Sequence, residues 1–134
     1  MKSEKISMST TLPATPERVY KAWLSGKEHA AFTGGQKATA STKVGGKFTA
    51  WDGYISGKNL ELDEPSRILQ SWRSTEFPEG HPDSTLEVKL DPHKQGTKIT
   101  FIHSGIPAGQ SAAYKEGWED FYFAPMKEYF GRAK

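Results

Sequence analysis

Residues 111–130 read SAAYKEGWEDFYFAPMKEYF, and this segment decides the fold. At about 100° per residue its apolar side chains fall on one broad stripe, while charged side chains occupy the remaining surface. The stripe consists of Tyr114, Trp118, Phe121, Tyr122, Met126 and Tyr129. The segment is therefore predicted to be a long helix that buries an aromatic face against another element. Pro125 has no backbone N–H to donate to residue 121, which predicts a kink there.

The chain before this helix has the alternating pattern of β-strands. In residues 4–12 the side chains of Ile6, Met8 and Leu12 share one face, and this period of two is typical of a half-buried strand. Asp52-Gly53 is typical of a two-residue hairpin, because both of its positions accept a positive φ. The predicted strands lie at residues 4–12, 47–51, 54–62, 67–75, 85–91 and 97–103. They predict a curved antiparallel sheet of six to seven strands.

Two short helices are predicted between the first strand and the others. Thr15 is a favourable N-cap, Pro16 suits the first helical position, and apolar side chains follow at helical spacing through residues 19–24. A second helical segment covers residues 27–32 and stops at Gly34-Gly35. Helices at both ends of an antiparallel meander indicate the α+β class. A length of 134 residues favours a single domain over residues 1–134.

Composition and charge restrict the classes of partner. The chain has 18 Lys+Arg and 16 Asp+Glu, a formal net charge of +2. Basic and acidic residues are interspersed along it, without a run of basic residues. Nucleic acid is therefore not expected as a partner. Cysteine is absent, which removes disulfides and thiolate ligands. No segment is apolar for long enough to span a membrane, and the N-terminal residues do not resemble a signal peptide, so a cytoplasmic location is expected.

A cavity is predicted between the sheet and the long helix. A twisted sheet of this size curls, and the helix closes its concave side. Bulky rings that meet across such a gap either fill it as a core or leave an apolar ligand site, and the sequence leaves both alternatives open. The candidate ligand-binding side chains are Phe48, Trp72, Phe101, His103, Trp118, Tyr122 and Met126.

No catalytic group, metal site or cofactor is predicted. The four histidines are not spaced as metal ligands. His103 ends an inward-facing strand row, so it is either a hydrogen-bonded core histidine or a general acid/base. Glu116, Glu119 and Asp120 lie away from the apolar stripe of the last helix, which indicates a solvated face rather than acid/base chemistry.

Short motifs along almost the whole chain resemble one known family. They are Gly45-Gly46-Lys47-Phe48, Asp52-Gly53, Ser56-Gly57, Arg67-Ile68, Trp72-Arg73, Pro78-Glu79-Gly80-His81, Gly105-Ile106-Pro107, Gly117-Trp118, Tyr122-Phe123 and Phe130-Gly131. In this order they resemble the C-terminal domain of the activators of the heat-shock protein 90 ATPase and the stand-alone bacterial-type relatives of that domain. Pro125 departs from the pattern, since the family has a small flexible residue there.

The resemblance implies the START-like helix-grip fold. This superfamily holds hydrophobic ligands and includes cyclases and hydratases as well as non-enzymatic binders. In the two-domain activator a separate N-terminal domain grips the middle segment of the chaperone, and the motifs matched here belong to the other domain, which contacts the nucleotide-binding domains. The resemblance thus implies a chaperone partner of the heat-shock protein 90 type.

Three hypotheses follow from the sequence. The first is a non-enzymatic domain that binds a chaperone or another protein partner. The second is a protein that binds an apolar small molecule in the ring-lined cavity. The third is an enzyme of the cyclase or hydratase type, for which His103 is the only candidate acid/base.

Overall fold

The computed structural model describes residues 3–33 and 35–132. Gly34 of the predicted Gly34-Gly35 stop and both ends of the predicted domain 1–134 lie outside these residues. The elements in chain order are β1 (Ser3–Leu12), α1 (Pro16–Trp23), α2 (Gly26–Phe32), β2 (Lys47–Ala50), β3 (Ile55–Asp63), β4 (Arg67–Ser74), β5 (Ser84–His93), β6 (Gly96–Pro107), α3 (Ser111–Trp118), a π turn (Glu119–Phe123) and α4 (Ala124–Arg132). The β6 strand runs past its predicted end at residue 103.

The six strands form one antiparallel, curved sheet in the order β1-β6-β5-β4-β3-β2. β1 and β2 are therefore the two edges, and the chain crosses from one edge to the other through α1 and α2. The α3–α4 segment packs in the hollow of the sheet. The predicted α+β helix-grip fold, with two short helices after the first strand, is confirmed.

The inward face of the sheet follows the predicted alternation. In the central pair, β5 lies against β6 with Leu86 opposite His103 and Val88 opposite Phe101. All four side chains are buried. Since a shift of one residue would turn the whole row to solvent, this apolar face fixes the register.

Both short helices begin at a hydroxyl N-cap, of which the sequence predicted the first, Thr15. The Thr15 hydroxyl accepts a hydrogen bond from the Arg18 N–H at 3.2 Å, and Pro16 stands at the first helical position. The Ser25 hydroxyl accepts from the Glu28 N–H at 3.2 Å in the same way at α2. These caps satisfy donors that the first turn of a helix leaves free.

The β2–β3 connection differs from the predicted two-residue hairpin. Ala50 pairs with Ile55, so the loop has four residues, 51–54. Trp51 and Asp52 take φ values of 54° and 57°, and Gly53 follows at 90°. A left-handed conformation costs a non-glycine residue roughly 1–2 kcal/mol. The Trp51 ring packs against Phe121 and Tyr122 in the π turn, and this contact offsets part of the cost of the left-handed conformation.

The predicted single long helix is interrupted by the π turn. The Ala124 N–H donates to the Glu119 carbonyl, five residues back. Pro125 has no N–H, and its ring crowds the carbonyl four residues earlier, so a wider coil before it relieves that contact. The extra residue rotates the face of the helix. Phe123 is buried, whereas Phe121 is 58% exposed. The prediction that Phe121 lies on the buried stripe was therefore wrong.

The buried hydrophobic side chains of the described residues form one core cluster between sheet and helices. Phe101 lies at its centre, with ring centroids 4.9 Å from Trp118 and 4.8 Å from Phe123. Within the part of the chain that the structure describes, no helix is both long enough and apolar enough to cross a membrane.

Candidate functional site

An aromatic cleft of about 390 Å³ opens between the sheet and the C-terminal helical segment. Its walls come from the β2–β3 loop, the ends of β3 and β4, and one face of α3 and the π turn. The residues that line it are Trp51, Tyr54, Ile55, Trp72, Glu76, Ala113, Tyr114, Gly117, Trp118, Phe121 and Tyr122. Small-molecule sites have volumes of roughly 300–1,000 Å³ and mostly apolar walls, so the cleft has the size and character of such a site.

Two tryptophans and a tyrosine form the inner wall. Trp72 lies near the end of β4 and Trp118 at the end of α3, with ring centroids 5.7 Å apart. Tyr122, one turn further along, lies 4.8 Å from Trp118. All three are at most 3% exposed. Ring pairs at these tilted geometries stabilise each other beyond simple burial, so the inner wall is preformed.

Two further rings meet at the mouth of the cleft. Trp51 from the β2–β3 loop lies edge-to-face against Phe121 from the π turn, with centroids 5.6 Å apart. Phe121 is one of two large hydrophobic side chains that are strongly exposed in the described chain; the other is Val44. The left-handed loop and the π turn thus bring the partly buried Trp51 and the exposed Phe121 together at this opening.

The other end of the cleft is polar. The Tyr54 hydroxyl donates to the Glu76 carboxylate. The Tyr114 hydroxyl donates to Gln110 Oε1 at 2.6 Å and accepts from the Ser74 hydroxyl at 2.6 Å. Gln110 Nε2 donates to the Glu76 carbonyl at 2.9 Å, which fixes the orientation of this amide. These bonds hold the Glu76 backbone in place, and Glu76, an exposed residue, lines the cleft beside Tyr54.

Both phenols at this end stay protonated at neutral pH. Burial, together with the bond to Glu76, raises the pKa of Tyr54 to about 12, and burial raises the pKa of Tyr114. Among the described residues that line the cleft, only Glu76 carries a charge. The site therefore offers aromatic faces, phenol groups and one carboxylate.

The structure divides the seven residues named from the sequence into two groups. Trp72, Trp118 and Tyr122 line the cleft. The other four are buried in the core without lining it: Phe48, Phe101, His103 and Met126. A ligand-binding role from the sequence prediction therefore rests on the first group and remains a proposal.

Several lining residues were missed by sequence reasoning. Tyr114 and Phe121 belonged to the predicted stripe but were not named for the cleft. Trp51 and Tyr54 flank the Asp52-Gly53 turn, and this position in the sequence indicates that both side chains lie at the same end of the sheet. Glu76 gave no signal, because a single acid after a strand is the usual composition of a surface loop.

His103 is enclosed by hydrogen bonds behind the inner wall. The Trp118 indole N–H donates to His103 Nδ1 at 3.3 Å, and His103 Nε2–H donates to the Ser84 hydroxyl at 2.8 Å. Ser84 in turn donates to the Trp72 carbonyl at 2.7 Å. Burial lowers the pKa of His103 to about 3, so the ring is neutral. It connects the two tryptophans and is not in contact with the cleft.

His29 plays a similar part beside Tyr122. The Tyr122 hydroxyl donates to His29 Nε2 at 2.9 Å, and His29 Nδ1–H donates to the Trp23 carbonyl at 3.1 Å. Burial lowers the pKa of His29 to about 4 and raises that of Tyr122. In residues 3–33 and 35–132 no three His, Asp or Glu side chains are grouped to hold a metal ion.

Comparisons with known proteins place this fold in a family. Residues 13–131 match the family described as "Activator of Hsp90 ATPase homolog 1-like protein". The human protein named Activator of 90 kDa heat shock protein ATPase homolog 1 is 32% identical over 127 residues, which cover 95% of this chain and 37% of that protein. The chain thus spans little more than a third of the length of this curated relative.

Solved structures agree with the match. The crystal structure of an HSP90 activator from Plasmodium falciparum superposes with a TM-score of 0.83 at 26% sequence identity. The superposition covers 96% of this chain and 96% of that one. A protein from the dynemicin biosynthetic locus has a TM-score of 0.79 at 19% identity, over 97% of this chain and 48% of that one. At that identity the second likeness concerns the fold alone.

Proposed function

Because the chain belongs to the Activator of Hsp90 ATPase homolog 1-like family, we propose that it is a non-enzymatic binding domain whose protein partner is a chaperone of the Hsp90 type. The observation that supports this most strongly is the match over residues 13–131, which spans nearly every element of the fold. A single domain and a cytoplasmic location are parts of the same proposal.

The site itself favours binding over catalysis. The sequence nominated one acid/base, His103, and that ring is neutral, fully buried and saturated by hydrogen bonds from Trp118 and to Ser84. A general base must reach the proton that it abstracts. His103 does not contact the cleft, so the enzyme hypothesis loses its candidate residue.

The partner is tested with the purified chain and an Hsp90-type chaperone. The proposal predicts that adding the chain changes the rate of ATP hydrolysis by the chaperone, with the chaperone alone and the chain alone as controls. Calorimetry at high protein concentration checks for the complex. An unchanged rate together with no detectable complex would overturn the chaperone proposal.

The cleft favours a second function, the binding of an apolar small molecule. The supporting observation is a space of about 390 Å³ walled by aromatic rings, with Phe121 exposed at its mouth. A ligand that binds the folded chain raises its stability with the logarithm of ligand concentration over Kd. A thermal-shift screen of sterols, fatty acids and aromatic polyketide-like compounds is expected to give at least one dose-dependent rise. A screen without any rise would count against this function.

A further inference from the structure

We propose that the small molecule held by the cleft is an organic cation, an aromatic body carrying a protonated amine that pairs with Glu76. This inference rests on the proposed small-molecule function of the cleft and adds the charge of its ligand. It does not depend on the chaperone proposal.

The first argument is the position of the single charge. Glu76 lines the same cleft as Trp51 and Trp72, so a carboxylate and aromatic faces converge on one space. A cation within about 6 Å of a ring face is attracted by the ring quadrupole, and a carboxylate attracts it as well. A neutral apolar ligand would gain nothing from Glu76, and an anionic ligand would be repelled by it.

The second argument concerns the partners of the Glu76 carboxylate. Within residues 3–33 and 35–132, no Lys or Arg forms an ion pair with it. Arg73, near the end of β4, instead pairs with Asp83 at 3.3 Å and lies over the ring of Phe77. The carboxylate accepts one hydrogen bond through Oε2, from the Tyr54 hydroxyl, which orients it and leaves Oε1 for a ligand.

The test compares tryptamine with tryptophol, which share an indole ring and a two-carbon arm but end in an ammonium and a hydroxyl group. Calorimetric titration of the full chain at neutral pH is expected to show tryptamine binding roughly three- to thirtyfold more tightly. Glu76→Gln is expected to reduce this preference roughly two- to fivefold and to leave the affinity for tryptophol unchanged. Glu79→Gln, which removes an exposed carboxylate that does not line the cleft, is the matched control and retains the preference.

The outcomes separate the two proposals. Equal affinity for the two compounds, or a preference that Glu76→Gln leaves intact, overturns the cation inference while the cleft remains a small-molecule site. Absence of binding by both compounds counts against the small-molecule function itself. Thermal unfolding of each variant verifies that any loss of binding occurs in a folded chain.

Discussion

The indole N–H of Trp118 donates to Nδ1 of His103 at 3.3 Å, and this bond connects the C-terminal helix to the centre of the sheet. It assigns the tautomer of the histidine, because a ring whose Nδ1 accepts carries its proton on Nε2. That proton then reaches the Ser84 hydroxyl. The inner wall of the cleft is thus held by a continuous relay of hydrogen bonds as well as by packed rings.

Ser84→Ala is expected to lower the free energy of unfolding by about 1–3 kcal/mol. The substitution removes the hydroxyl that accepts from the His103 N–H and donates to the Trp72 carbonyl, and it leaves the His103 N–H buried without an acceptor. Urea unfolding measures the change. Ser9→Ala, on the exposed face of β1, is the matched control and should change stability by less than about 0.5 kcal/mol. Equal effects of the two substitutions would contradict the relay.

Stability is expected to fall as the pH drops from 6.5 towards 4. Burial lowers the pKa of His29 to about 4 and that of His103 to about 3, while both titrate near 6.5 in the unfolded chain. Between these values the unfolded state binds about two more protons than the folded state. Each proton reduces stability by about 1.4 kcal/mol per pH unit.

Urea unfolding at several pH values measures this slope. The control is His93→Gln, a substitution at the exposed end of β5 that leaves both buried rings in place. A stability that is flat between pH 6.5 and 5 would show that the two buried rings are not held neutral.

Much of this architecture is predictable because it depends on local patterns. The alternation of apolar and polar residues predicted which side chains of β5 and β6 face the core, and Thr15-Pro16 predicted the start of α1. The cleft depended on features that are not local. The π turn before Pro125 exposes Phe121, and the left-handed Trp51 turns its ring to the mouth. Neither outcome can be read from a 100° periodicity or a turn dipeptide, since both are set by contacts across the fold.

Phe121→Ala is expected to weaken tryptophol binding several-fold while changing the free energy of unfolding by less than about 1 kcal/mol. The ring is 58% exposed, so it contributes little to the core, but it lines the cleft. Val44→Ala removes the other strongly exposed hydrophobic side chain, away from the cleft, and should leave binding unchanged. A ligand bound equally well by both variants does not occupy this mouth.

Two glycine substitutions are expected to have opposite effects on stability. An added Cβ at Gly57 would lie 1.9 Å from the Ser71 carbonyl oxygen and 2.7 Å from the Phe48 ring, so Gly57→Ala forces β3 and β4 apart. At Gly117, inside α3, the added Cβ meets only a Phe121 ring carbon at 3.9 Å. Gly117→Ala should therefore stabilise the chain by about 0.5–1 kcal/mol. Thermal unfolding of the two variants checks both signs.

The most direct test of the ring-lined cleft is a titration with tryptophol followed by the indole N–H signals in NMR. The chain has four tryptophans, of which Trp51, Trp72 and Trp118 line the cleft, while Trp23 donates to Gln70 in the core. Ligand in the cleft is predicted to shift the first three signals with one common Kd and to leave the Trp23 signal in place. Signals that stay unchanged at millimolar tryptophol, or a Trp23 shift as large as the others, would contradict the account.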